Sequence, residues 1–148
     1  MAKFRFRMQN YLALKMKIED QKQLDYGLAL KALEEARQLK EQMEQEKDKS
    51  LRAFRTQISL SVKPDMFQNY NNYIEWMKKR IKAQQKEIER AQAAAESKRL
   101  ALVEAMRERK TLEKLKERNY EEYQKDENLA EQKIVDEIVS YRYNNQEQ

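Results

Sequence analysis

Between residues 64 and 143, apolar side chains recur mostly at spacings of three and four, with polar interruptions. This spacing is typical of a helix that presents one apolar seam to a partner helix. Pro64 opens the stretch, and the first turn of a helix tolerates its missing N–H. We therefore predict a single helix over residues 64–143, with the seam Tyr70, Ile74, Met77, Ile81, Ile88, Ala91, Ala95, Leu102, Met106, Leu112 and Leu115.

A shorter stretch with the same spacing comes before it and predicts a helix over residues 6–58, with residues 1–5 frayed. Residues 59–63 break the pattern. Because the residue before a proline avoids helical geometry, these five residues are the predicted turn. Gly27 lies inside the first predicted helix. We favour a tolerated surface residue there over the alternative, a flexible point in the helix.

Two helices joined by such a turn are expected to run antiparallel, so that facing residues have numbers adding to about 124. The two seams match on this rule, and small residues of both helices meet at one level around Ala29, Ala32, Ala91 and Ala95. The expected pairs include Phe54–Tyr70, Met43–Ile81, Ala36–Ile88 and Ile18–Met106.

The sequence thus predicts an all-α fold, a long antiparallel two-helix coiled coil or helical hairpin whose second helix is longer than the first. We expect a monomer with one domain over residues 1–148. The alternative is a parallel dimer of one long helix, which the break at Pro64 disfavours.

The first predicted helix is too short to cover the second. Residues beyond about 120 have no partner from it, and residues 144–148 are expected to be disordered. An apolar stripe nevertheless continues at spacings of 7, 4, 4 and 3 through Tyr123, Ala130, Ile134, Ile138 and Tyr141. An amphipathic stripe without an intramolecular partner is usually an interaction face. The alternative is a loosely ordered tail.

The amino-acid composition excludes several kinds of catalytic, metal-binding and phosphate-binding site. The chain contains no Cys and no His, which removes thiolate and imidazole nucleophiles, general bases and metal ligands. A single Gly cannot build a phosphate-binding loop, and the many carboxylates alternate with Lys and Arg at helical spacing, as solvated ion pairs do. We expect no enzyme activity, no cofactor and no metal.

The start of the chain, MAKFRFRMQN, is basic but lacks the apolar core of a signal peptide. No apolar run approaches the roughly 20 residues of a membrane span. The sequence therefore favours a cytoplasmic protein.

The charge is unevenly distributed. The formal net charge is +5, yet residues 119–148 carry eight acidic and three basic residues, a net −5, so the first 118 residues hold +10. Basic clusters at residues 78–82 and 107–110 could contact phosphates. Acidic residues interrupt the second cluster, and neither has an aromatic stacking platform. We therefore expect no nucleic acid partner and favour an acidic protein surface over a nucleic-acid-binding hairpin.

Four aromatic residues follow the predicted turn and point in several directions around the helix: Phe67, Tyr70, Tyr73 and Trp76. A seam needs only one residue in every three or four. We favour a core contribution plus an exposed patch over a core contribution alone, because aromatic side chains dominate binding hot spots.

Several short segments, taken in order, resemble the flagellar type III export protein family FliJ, and they span nearly the whole chain. They are Phe4-Arg5-Phe6 with Tyr11-Leu12, the segment Asn69-Tyr70-Asn71-Asn72-Tyr73-Ile74, Glu108-Arg109-Lys110 with Leu112-Glu113-Lys114-Leu115, and Asp136-Glu137.

This resemblance implies an antiparallel hairpin similar to the stalk of the rotary ATP synthase gamma subunit. It also implies binding to the hexameric flagellar export ATPase, FliI, with promotion of ring assembly and hydrolysis. Contact with the membrane export gate, FlhA, and escort of export chaperones are further implied. The expected location is the cytoplasm, peripheral to the membrane at the flagellar base. The export-gate-binding positions implied by resemblance are Tyr73, Met77, Arg80 and Gln84, with Arg80 where better-known members carry a small residue.

By the same resemblance, the end with both termini would enter the ATPase ring, and the unpaired apolar stripe lies there. Our hypothesis for the ATPase-binding residues comprises Arg109, Lys110, Leu112, Leu115, Tyr123, Ile134, Ile138 and Tyr141. The alternative function is a structural coiled-coil adaptor or spacer that has no ATPase partner.

Overall fold

In a computed structural model, the described residues, 3–61 and 63–147, form two α-helices. Helix α1 spans Gln9–Ile58 and helix α2 spans Pro64–Gln146. They make an all-α helical hairpin with a longer second helix, which confirms the predicted fold class. Residues 1 and 2 of the predicted frayed start, residue 62 of the turn and residue 148 of the tail lie outside the described residues.

The turn follows from the end of α1 and the start of α2. The Leu60 and Ser61 amides donate to the Gln57 carbonyl at 3.1 and 3.3 Å, which closes the last turn of α1. The Lys63 carbonyl then accepts from the Met66 and Phe67 amides at 3.1 and 3.2 Å. Lys63 therefore stands just outside α2, and Pro64 takes the first helical position, where it loses no hydrogen bond.

The outer helix ends differ from the predicted ones. Helix α1 begins at Gln9 rather than residue 6, because the Phe6 side chain is buried and the preceding backbone turns before the helix. Helix α2 continues to Gln146, so residues 144–146 are helical and not disordered as predicted. Neither Gly nor Pro occurs there to stop the helix.

The chain divides into two compact units. The turn unit is Gln21–Val103, and the terminal unit combines Met1–Asp20 with Glu104–Gln148. One domain over the whole chain stays a prediction.

In the turn unit, the predicted antiparallel register is confirmed near the turn and further along. The rings of Phe54 and Tyr70 stack with centroids 3.6 Å apart, and Lys40 Nζ donates to Gln85 Oε1 at 2.7 Å. The level of small residues is also present, although Ala32 is exposed there. The buried cluster at this level consists of Leu33, Ile88 and Ala95, with Ala29, Ala36 and Ala91 packed against them.

In the terminal unit, Phe6, Leu12 and Leu112 form a second buried cluster. Beside it, Lys15 Nζ donates to Glu108 Oε2 at 2.7 Å across the two helices. This pair also obeys the expected register. The apolar seam and the ion pairs at its edge therefore fix the same antiparallel pairing in this unit.

Candidate partner-binding surfaces

The aromatic residues after the turn divide between core and surface. Tyr70 lies against Phe54, and Phe67 lies 5.8 Å from the same Phe54 ring. Yet Phe67 is 48% exposed and Trp76 is 51% exposed. This confirms the expectation that the group supplies both core contacts and exposed aromatic surface.

Trp76 is the centre of a small surface on α2. Its ring lies 6.0 Å from the Tyr73 ring, and the Arg80 guanidinium lies over it at 4.8 Å from the centroid. The ring quadrupole attracts a cation over an indole face by about 0.5–1 kcal/mol at an exposed site. We call Tyr73, Trp76 and Arg80 the tryptophan patch.

The four gate-binding positions implied by resemblance have different surroundings. Tyr73 and Arg80 belong to the tryptophan patch. Met77 is fully buried at 0% exposure, and Gln84 Nε2 donates to the Ala36 carbonyl at 2.9 Å on the facing helix. Met77 and Gln84 thus hold the hairpin together in this unit, and any gate contact they support would be indirect.

Trp76 was absent from the predicted site, although it is the most exposed ring beside those positions. A signal existed in the sequence, because Trp76 precedes the seam residue Met77 and so falls outside the seam. An aromatic residue outside the seam of a coiled coil has to lie at the surface.

Two of the predicted ATPase-binding residues are already used in the packing and ion pairs of the terminal unit. Leu112 is only 7% exposed, within the cluster with Phe6 and Leu12. Arg109 donates through Nε to Glu19 and through Nη1 to Glu113 Oε2, the latter at 2.8 Å. These carboxylates, Glu19 first, raise the pKa of Arg109. Both residues therefore stabilise the hairpin.

The next predicted residues are nearer the surface. Lys110 is exposed, and Leu115 is 38% exposed. Tyr123 is half-buried, with its ring 5.6 Å from Phe4 and 6.4 Å from Tyr120. Burial, and then the nearby Glu127 carboxylate, raise the pKa of the Tyr123 phenol. Lys110 and Leu115 are thus open to a partner, whereas Tyr123 forms part of an aromatic cluster.

Residues 3–8, which we call the N-terminal strap, were expected to be frayed up to residue 5. Instead, Phe4 lies edge-on to Tyr120 at 5.3 Å, and Phe6 is buried. The alternation of Phe with Lys and Arg in KFRFR is the signal that was missed, since a period of two is typical of an extended segment with one apolar face. The strap borders a groove of about 650 Å³.

The last part of α2, residues 128–146, is the distal segment, and every residue in it is exposed. The predicted Ile134, Ile138 and Tyr141 are 57%, 49% and 69% exposed. The prediction omitted other apolar residues that are exposed there, namely Leu129, Val135, Val139 and Tyr143. A search for one stripe could not find them, because they lie on another side of the helix.

The basic clusters make ion pairs within the chain. Lys78 Nζ lies 3.6 Å from Glu75, and Arg107 Nη1 lies 3.9 Å from Glu104. Interspersed carboxylates weaken phosphate binding, so these contacts favour a protein partner over nucleic acid. In residues 3–61 and 63–147 no group of three or more acidic residues is placed to hold a metal ion. The helices described lack any stretch long and apolar enough to cross a membrane.

Comparison with known proteins gives a family but no individual relative. Neither curated proteins nor solved structures gave a match. A family model described as Flagellar FliJ protein matches residues 4–148. Since this match covers nearly the entire chain, the protein belongs to the flagellar FliJ family, whose members are non-enzymatic components of the flagellar export apparatus.

Proposed function

We propose that this protein is a stalk of the flagellar export apparatus that binds the hexameric export ATPase FliI and promotes its assembly and activity. The proposal includes coupling of the ATPase to the membrane gate FlhA and to export chaperones, at the cytoplasmic face of the membrane. It rests on family membership together with one observation, the exposed apolar distal segment of α2.

The distal segment supports ATPase binding because it has no covering element of its own. Residues 128–146 are all exposed, although seven large apolar side chains lie among them. Solvent-exposed apolar side chains at this density are usually buried by a partner. The terminal unit therefore offers the ATPase a helix that is not already used by the hairpin.

The tryptophan patch supports the second contact, with the export gate. Trp76 is half exposed and the Arg80 guanidinium lies over its ring, which places an accessible aromatic side chain on the turn unit. Tryptophan and arginine are the residues most often found at binding hot spots. The patch also lies among the positions that the resemblance to the family associates with the gate.

The direct test is a titration of the protein into the cognate export ATPase while ATP hydrolysis is measured. We expect stimulation at a ratio well below one stalk per ATPase subunit, since one stalk would serve a whole ring. Absence of both binding and stimulation would favour the alternative, a coiled-coil spacer without an ATPase partner.

Two double variants test whether the apolar stripe of the distal segment is the contact with the ATPase. Ile134→Asp with Ile138→Asp adds two charges to the apolar stripe and should abolish ATPase binding with little change in helicity, since both side chains are exposed. The matched control is Ser140→Asp with Asn144→Asp, which adds the same charge to a polar side. Wild-type affinity in the first variant would remove the stripe from the proposal.

A further inference from the structure

The N-terminal strap continues the cover of α2 beyond the first residue of α1. Facing residues have numbers adding to about 124, so Gln9, where α1 begins, lies level with about residue 115 of α2. Beyond that level the strap packs on α2, since the Phe4 ring centroid lies 5.3 Å from that of Tyr120 and 5.6 Å from that of Tyr123. Residues 128–146 are all exposed. In the part of the chain that the structure describes, the strap is therefore the element that covers α2 furthest towards its end.

Few contacts hold the strap in place. Phe6 is buried with Leu12 and Leu112, and the half-buried Phe4 packs against this cluster. The Lys and Arg side chains of the strap are exposed, and none of them forms an ion pair with a carboxylate of the described residues. A segment with few buried apolar contacts opens at a lower free energy than the core of a structure. The strap can therefore leave α2 while the two helices stay paired.

The end of α2 depends on such packing for its helical structure. Most of the stability of a helix in a protein comes from tertiary packing and not from the intrinsic propensity of its residues. The distal segment contains four β-branched residues, whose helix propensity is lower than that of Ala or Leu, namely Ile134, Val135, Ile138 and Val139. Because helix formation is cooperative, packing at Tyr120 and Tyr123 also stabilises the turns that follow.

We infer that the strap is a latch whose docking controls the helical order of α2 over residues 119–146. In the closed state, which the structure contains, Phe4 packs against both tyrosines and the helix continues to Gln146. When the strap opens, this end of α2 loses its last packing contact and frays. The inference goes beyond the proposed function, because it concerns the order of the helix itself and holds whichever partner binds there.

Hydrogen–deuterium exchange of the full chain, followed by mass spectrometry, tests the coupling. Phe4→Ala removes the ring that packs against the two tyrosines and leaves the buried Phe6 in place. We expect the amides of residues 119–146 to exchange at least about fivefold faster in this variant than in the wild type, because local opening then costs less. The amides of the turn unit, Gln21–Val103, should exchange at the wild-type rate in the same sample.

Trypsin cleavage after Arg7 measures the strap itself, since a protease needs a locally opened chain and Arg7 is exposed. We expect cleavage to be faster in Phe4→Ala than in the wild type by a factor similar to that of the exchange. The matched control is Met8→Ala, which truncates an exposed side chain of the same strap and should change neither measurement.

The outcomes decide whether the strap and the end of α2 are coupled. Faster cleavage together with faster exchange confined to residues 119–146 would support the latch. Faster cleavage with unchanged exchange over these residues would overturn it, and so would no change in either measurement. An equal rise in exchange over residues 104–115 would show a general loss of stability in the terminal unit and would also overturn it. Wild-type amides of residues 124–146 without protection would overturn it too, because the end of α2 would then be disordered with the strap docked.

Discussion

Tyr70 combines a strong packing contact with an uncompensated polar group. Its ring stacks on Phe54 at 3.6 Å, yet its hydroxyl is buried and no described residue forms a hydrogen bond with it. A buried hydroxyl without a partner loses its hydration and gains nothing in return. The ring therefore stabilises the hairpin near the turn while the oxygen works against it.

Tyr70→Phe keeps the stack and removes the oxygen, so we expect the free energy of unfolding in urea to rise by about 1 kcal/mol. Burial raises the pKa of Tyr70 above its ordinary 10.0. A group whose pKa is higher in the folded state stabilises fully below the unfolded pKa, and this contribution is lost as pH rises through the folded pKa. The wild-type protein should therefore lose more stability above about pH 10 than the Phe variant.

The control for this comparison is Tyr141→Phe, which removes a phenol that is 69% exposed and should leave the alkaline unfolding curve unchanged. A Tyr70→Phe protein less stable than the wild type at pH 8 would mean that the hydroxyl has a partner after all.

Substitution of Gly27 distinguishes a tolerated surface residue from a flexible point in the first helix. Gly27 lies in α1, it is exposed, and an added Cβ would meet nothing within 4 Å. Gly27→Ala should raise the free energy of unfolding by about 0.5–1 kcal/mol, because alanine has the higher helix propensity. ATPase stimulation should not change if the residue is merely tolerated. A stabilised variant with reduced stimulation would instead identify a required flexible point.

At the scale of elements, the periodic part of the sequence determined most of the fold. The seam spacing and Pro64 were sufficient to predict both helices, the turn and the register later seen at Phe54 and Tyr70. The strap could not be placed in this way. Its two Phe residues find their position only against α2, and their alternation with Lys and Arg indicates an extended segment without showing which part of α2 it contacts.

The candidate sites were harder to predict for a related reason. Seam residues and surface residues alternate every few positions. A binding residue implied by resemblance can therefore lie in the buried seam or at the exposed surface. Met77 is buried and Arg109 is held by two carboxylates, whereas Trp76 and Val139 are exposed. The predicted seam already separates Met77 from Trp76, whereas the carboxylates that hold Arg109 are brought to it only by the three-dimensional pairing.

The strap makes its own contribution to the terminal unit. Phe6 is 7% exposed and packs with Leu12 and Leu112, so Phe6→Ala should cost about 3 kcal/mol of unfolding free energy. The control is Met8→Ala, whose side chain is 38% exposed and whose loss should cost under about 1 kcal/mol. Urea unfolding followed by circular dichroism measures both. Equal costs would show that the strap does not contribute to the core in solution.

At the scale of the whole molecule, the two proposed binding surfaces belong to different units. The tryptophan patch lies in the turn unit, and the distal segment lies in the terminal unit. In each unit, the buried seam residues of α2 are occupied by internal packing. Under the proposed function, the two contacts should therefore respond to substitution independently, as sites that share no partner residues do.

Trp76→Ala tests this independence. Removal of the half-exposed indole takes away the anchor and the face on which Arg80 rests, so affinity for the cytoplasmic part of the export gate should fall about tenfold or more. ATPase stimulation should stay at the wild-type level, and swimming in soft agar should decrease. The matched control is Phe67→Ala, a similarly exposed aromatic residue that lies outside the tryptophan patch. Loss of ATPase stimulation in the Trp76 variant would show that the two contacts depend on each other, and unchanged gate affinity would remove the tryptophan patch from the gate contact.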